Sequence, residues 1–266
     1  MIIKNAGFLI FLLPIFYFSC TEADTNTTVN VDKEKQTEKQ LLSEIRKYPD
    51  SLLLTQNLIE YYRNLGNYDF AIAVTDKAIN KDPNIAELWD IKATLHYENN
   101  DTLGAINAFE NAINIIPLPE YVISLGSLYA QTKNIKALEL SDALLLADKS
   151  HAEKESYFIK GLYYTYTGNK KKAVELFDSC IRIDYTYMFA YREKAIALYD
   201  LAKYEEAIKV LTRAVTIQNN FDEGYYWLGN CFKKLNKKQE AIESYQTALM
   251  YDKNFIEARD SLKTLQ

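Results

Sequence analysis

Few side chains in this sequence could do chemistry: three cysteines, two histidines and a spread of carboxylates. A thiol becomes a nucleophile only beside a base or a cation, and a catalytic histidine needs a group to orient it. Cys180, Cys231, His96 and His151 fall in no motif that would bring them together, and the carboxylates Glu110 and Glu175 have no base paired with them. There is no Gly-rich phosphate loop, no dinucleotide turn, no HExxH and no GxSxG. An odd number of cysteines excludes a complete disulfide framework, and two histidines are too few for a histidine-rich metal site. Cys180 and Cys231 read as buried thiols and His96 as a packed, hydrogen-bonded histidine. No enzyme activity, cofactor or metal is expected.

The third cysteine, Cys20, has a different setting. Lys4 precedes an apolar run over residues 8–18, and the chain turns polar at Thr21-Glu22. Eleven apolar residues are too few to span a hydrocarbon core of about 30 Å as a helix, and Pro14 interrupts them. The pattern is that of a signal peptide over residues 1–19. A small residue and then a cysteine after the apolar run, Ser19-Cys20, resembles the lipobox of bacterial lipoproteins, although Tyr17 and Phe18 are bulkier than that pattern prefers. The resemblance implies cleavage before Cys20, lipidation of Cys20, and a place in the bacterial cell envelope. The expected location is the outer membrane, facing the periplasm or the cell surface. Residues 20–35 are polar and are expected to be a disordered tether.

The elements that must position everything else follow a fixed period. Pro49, Pro83 and Pro117 lie 34 residues apart, each after a helical run that it should end. Ala71, Ala105, Ala173, Ala207 and Ala241 lie at multiples of 34, each followed by Ile or Val. Seven residues further come Ala78, Ala112, Cys180, Ala214 and Ala248, two turns along the same face. Small residues there let helices approach closely. With 8 glycines and 5 prolines, the composition suits long helical runs better than turn-rich sheets.

The period, with Trp89, Gly161, Tyr164, Phe177, Leu228, Gly229, Tyr245 and Ala248 in their places, resembles the tetratricopeptide repeat. The resemblance implies an all-α, right-handed α-solenoid of about six helix-turn-helix repeats over residues 52–255. An N-terminal helix is expected over 36–48 and a capping helix over 256–266. The third repeat is expected to be degenerate, because its second helix falls one residue out of register near Ala137. Most aromatics become packing elements, since one repeat cannot bury its apolar face alone.

In that family the first helices line a concave groove, which here would carry an acidic group with Glu60, Glu87, Asp90 and Glu98. The partner-binding residues expected on that basis are Tyr97, Phe158, Tyr166, Phe189, Arg192, Tyr199, Tyr226, Asn230, Lys233 and Lys234. The groove would pass from acidic at Glu60–Glu98 to basic at Arg192–Lys234, with aromatic anchors. A net charge of −5 with interleaved signs argues against nucleic acid as a partner. The expected function is a lipid-anchored scaffold or adaptor that binds proteins or peptides in cell-envelope assembly or maintenance. The alternative is a binder of glycan or cell-wall polymer that uses the aromatic groove.

Overall fold

The computed structural model describes residues 27–147 and 149–265, with the side chains of 36–146 and 152–265. The signal peptide expected over 1–19 and the lipid acceptor expected at Cys20 lie outside the described residues. Among those described, the chain is all-α, with fourteen helices and no strand. In order these are α1 (Thr27–Lys47), α2 (Leu52–Asn64), α3 (Tyr68–Lys81), α4 (Ala86–Glu98), α5 (Thr102–Ile115), α6 (Pro119–Gln131), α7 (Lys136–Ala147) and α8 (Lys149–Tyr166). Then follow α9 (Lys170–Ile183), α10 (Met188–Asp200), α11 (Tyr204–Ile217), α12 (Asp222–Lys234), α13 (Lys238–Tyr251) and α14 (Ile256–Lys263). The chain divides into two compact units at Leu125 and Gly126, within α6.

One backbone feature sets the period. Gly66, Asn100, Lys133, Gly168, Ala202 and Asn236 all have positive φ. Each follows a first helix and turns the chain back into the second helix of its repeat. The next amide closes the turn: Asn67 donates to the Tyr62 carbonyl, Asp101 to His96, Lys203 to Leu198 and Lys237 to Phe232, at 2.8–2.9 Å. This is the Schellman ending of a helix, and it favours glycine because a Cβ is strained in the left-handed region. The spacing of these residues is 34 except around Lys133, where it is 33 (133 − 100) and then 35 (168 − 133). The irregularity at the third repeat is therefore a one-residue slip in the turn. Ala137 is fully buried all the same, so the small packing position is kept.

Ala202 takes this strained turn without the freedom of glycine. Ala202→Gly should relieve a cost of about 1 kcal/mol and raise the denaturation midpoint of the C-terminal unit. An unchanged or lowered midpoint would contradict the strain argument.

Packing follows the small residues. Ala105, Ala173, Ala207, Ala241, Ala112, Cys180, Ala214 and Ala248 have no exposed surface. In two repeats a glycine on the first helix receives an aromatic ring from the second. A Cβ at Gly161 would lie 2.5 Å from Phe177, and one at Gly229 would lie 2.6 Å from Tyr245. Each buried ring contributes about 1.5–3 kcal/mol by leaving water.

In the N-terminal unit the core is Leu58, Ile59, Tyr62, Ala71 and Leu95, with Leu41, Leu42 and Ile45 of α1 laid over it. The Tyr62 hydroxyl donates to Glu38 at 2.6 Å, which ties α1 down further. Helix α1 starts at Thr27, inside the stretch expected to be a disordered tether, and runs past the expected start at residue 36. Residues 33–40 are mostly Lys, Glu and Gln, which favour helix even without an apolar face. In the C-terminal unit Ala195, Leu198, Ala207, Leu211, Leu228 and Cys231 form a core cluster. Helix α14 closes the end of this unit with Ala258 fully buried.

Candidate functional site

The first helices of successive repeats share one face within each unit. In the C-terminal unit α8, α10 and α12 lie side by side there. In the N-terminal unit α2 and α4 are bridged by hydrogen bonds.

Two of the residues expected to face a partner are interior instead. Phe158 is 1% exposed and packs against Phe177 at 5.8 Å and edge-on against Tyr187 at 5.3 Å. It fills the junction between α8, α9 and the entry to α10, where a large ring is worth more in the core than on the rim. Arg192 is 6% exposed. Its Nη1 donates to both carboxylate oxygens of Glu223 at 2.8 Å, and its Nε donates to Glu193 at 2.9 Å. Burial works against its charge, but Glu193 and Glu223 outweigh that and hold the guanidinium well above its ordinary pKa. Arg192 is a strut between α10 and α12 and not a free cation for a ligand.

The rest of the expected set is partly engaged. Asn230 accepts from the Tyr245 hydroxyl at 2.7 Å. Lys233 donates to Thr264 at 2.8 Å, which reaches the closing turn of the chain. Phe189 is half-buried, edge-on to Tyr187 at 5.6 Å and beneath the Arg192 guanidinium. Tyr199 meets Tyr204 and Trp227 edge-on at 5.3 and 5.5 Å, with the Lys234 ammonium 5.9 Å above its ring. Burial pushes the Tyr199 phenol up to about 12. Tyr226 packs on Trp227, Tyr245 and Phe255. Tyr97 and Tyr166 are half-buried. What this face offers to a partner is therefore the half-buried Phe189, Tyr199 and Tyr226 beside the exposed Lys233 and Lys234. Phe189 and Tyr199 are edge-on to neighbouring rings, while Tyr226 is edge-on to Trp227 and tilted against Tyr245 and Phe255.

The sequence reading missed a regular ladder on this face. The fifth residue of one first helix bonds the second residue of the next. In the N-terminal unit Gln56 of α2 donates to Glu87 of α4 at 2.8 Å. In the C-terminal unit Arg192 of α10 grips Glu223 of α12. Both pairs are 31 residues apart. A donor with a carboxylate 31 residues on was the signal in the sequence that could have found them. A second link in the N-terminal unit joins the Arg63 guanidinium to Glu98 through two nitrogens, with Glu60 at 3.3 Å.

Among the described residues, His96, Cys180 and Cys231 are bound into structure. His96 Nδ1 lies 2.9 Å from Asp101 Oδ2, while Asp101 Oδ1 caps α5 by accepting from the Gly104 amide. The absent side chain at Gly104 makes room, since a Cβ there would be 2.4 Å from the His96 ring. Cys180 and Cys231 are free and buried, and burial raises both thiols to about 12. Such thiols stay protonated and unreactive. Among the described residues no three His, Cys, Asp or Glu side chains converge to hold a metal ion. No described helix is long and apolar enough to cross a membrane.

Three repeat models match the chain: a tetratricopeptide repeat over residues 154–187, a TPR repeat over 195–236, and a tetratricopeptide repeat over 223–255. Among curated proteins it is similar to human Superkiller complex protein 3, 24% identical over 209 residues covering 76% of this chain and 13% of that protein. It is also similar to the Hsp70-Hsp90 organizing protein of Triticum aestivum, 23% identical over 237 residues covering 82% of this chain and 39% of that protein. The chain thus spans well under half the length of these relatives. Among solved structures, a tetratricopeptide repeat protein from Parabacteroides merdae superposes with a TM-score of 0.69 at 19% identity. That match covers 89% of this chain and 94% of the other.

Proposed function

We propose that this chain, which carries tetratricopeptide repeats, is a scaffold that holds partner proteins on its first-helix face. A lipid on Cys20 would fix it to a membrane of the bacterial cell envelope, the outer membrane in the simplest case. The observation that carries the scaffold reading is the row of Phe189, Tyr199 and Tyr226 beside Lys233 and Lys234. Half-buried aromatics next to exposed cations make an anchor with a charged rim, which is how extended peptides are held. Both named relatives are named for assemblies or pairs of other proteins, which supports a protein as the occupant. The membrane part of the proposal rests on the sequence alone, on Lys4, the apolar run over 8–18, and Ser19-Cys20. Lipid anchoring by more than one chain is stable without a spanning helix.

Two substitutions test the two parts separately. Lys233→Glu with Lys234→Glu should release the partner recovered from solubilised envelopes while the helical circular dichroism is kept. Full retention of the partner would overturn the groove reading. Cys20→Ser should abolish fatty-acid labelling and free the protein from membranes. Unchanged attachment would remove the anchor from the account.

A further inference from the structure

In the C-terminal unit, polar atoms that are closed to solvent and lack a partner gather at one junction. Among the described residues these atoms are Glu155 Oε2, Ser156 Oγ, Tyr187 Oη and Tyr191 Oη. Glu155 and Ser156 lie on α8, Tyr187 in the turn from α9 to α10, and Tyr191 in the first turn of α10. A buried carboxylate oxygen or phenol that bonds nothing bears its full desolvation cost, so native structures give such atoms a partner.

Contacts from α8 join Glu155 to Tyr187. The Lys154 ammonium lies 3.5 Å from Glu155 Oε1 and 4.8 Å from the centre of the Tyr187 ring. Phe158, three residues after Glu155 and so on the same side of α8, packs edge-on against that ring at 5.3 Å. The Cys180 thiol donates to the Lys154 carbonyl at 3.4 Å, which brings α9 against the same stretch of α8. Burial raises the Tyr187 phenol, and the next influences on it are Cys180 and then Glu155, in keeping with these contacts. Tyr191 meets a different neighbour, the Arg213 guanidinium 6.0 Å from its ring. Glu155 Oε2 and the Tyr187 hydroxyl do not bond each other, so each needs a third group.

That group must donate to the carboxylate and accept from the phenol. A cation cannot accept, an anion cannot donate, and a partner's side chain cannot reach atoms closed to solvent. Water does both, and ordered water is the usual partner of buried polar atoms. We propose that one internal water molecule binds here, donating to Glu155 Oε2 and accepting from the Tyr187 hydroxyl. It pins the α9–α10 turn to α8. Phe189 stands edge-on to Tyr187 at 5.6 Å, so the same water positions the first aromatic ring of the face offered to a partner. The water site itself does not depend on the scaffold reading.

Two measurements on the full chain test this. A crystal structure that resolves waters elsewhere in the core should show one within hydrogen-bond distance of both Glu155 Oε2 and the Tyr187 hydroxyl. A direct bond between the two side chains, an ion in that place, or no density there would overturn the proposal. In urea denaturation, Tyr187→Phe should move the unfolding equilibrium constant about two- to tenfold toward the unfolded state, because a bonded hydroxyl stabilises the fold. A hydroxyl without a partner would give the opposite sign, since its removal relieves a buried polar group. An unchanged or more stable variant would therefore overturn the proposal and leave the scaffold reading standing.

Discussion

Asp90→Asn should raise the melting temperature at pH 8 by roughly 4–8 °C and leave it nearly unchanged at pH 4. The native carboxyl is raised to about 6 from the ordinary 3.8, by burial and then by Glu120 and Glu87. A raised carboxyl binds its proton more tightly in the folded chain than in the unfolded one. The stability tied to that proton is full below pH 4 and is lost as pH rises through about 6. Above that point the folded chain carries a half-buried charge opposed by its neighbours. The cost is on the order of 2 kcal/mol once water on its open side is allowed for. Asparagine keeps the shape and removes the charge, so its gain grows from pH 4 to about 6 and is full above that. Thermal scans of both proteins at pH 4, 6 and 8 check this, and a gain that is equal at all three values would refute the electrostatic origin.

Glu223→Ala should destabilise the C-terminal unit by about 3 kcal/mol. Glu223 supplies two of the three recorded hydrogen bonds that hold the Arg192 guanidinium in a nearly closed interior. Removing it leaves a buried cation with Glu193 alone, which is the costly way to break an ion pair. Replacing both partners, Arg192→Met with Glu223→Leu, should cost less than the sum of the single changes by at least about 1 kcal/mol. Trp227 reports on this unit, and Trp89→Phe silences the other tryptophan. Denaturant titration followed by Trp227 fluorescence gives the three values. Additive costs would show that the two side chains do not act as a pair.

The packing frame was legible in the sequence because a repeat writes its contacts at fixed spacing. Ala71, Ala105, Ala173, Ala207 and Ala241 are small because a helix passes over them, and all five have no exposed surface. The slip at the third repeat was visible near Ala137, but its cause was not. A backbone turn at Lys133 that follows Asn100 by one residue fewer leaves no mark in side-chain type. The binding face was harder to read. Helical spacing places Phe158 and Arg192 on the same side as Tyr226, yet both are buried by groups from the neighbouring repeat. Exposure on that side depends on what the next repeat presents, and here that was Tyr187 and Glu223. The start of α1 at Thr27 was missed for the opposite reason. A polar stretch without an apolar stripe looks unstructured, although its lysines and glutamates favour helix.

The central claim is that partners sit on the first-helix face. A photo-crosslinking residue in place of Lys234, which is exposed on that face, tests it most directly against one in place of Thr212, which is exposed on α11. In cells that make the protein, irradiation should give a discrete adduct at position 234 and none at 212. An adduct at 212 alone, or equal adducts at both positions, would contradict the account.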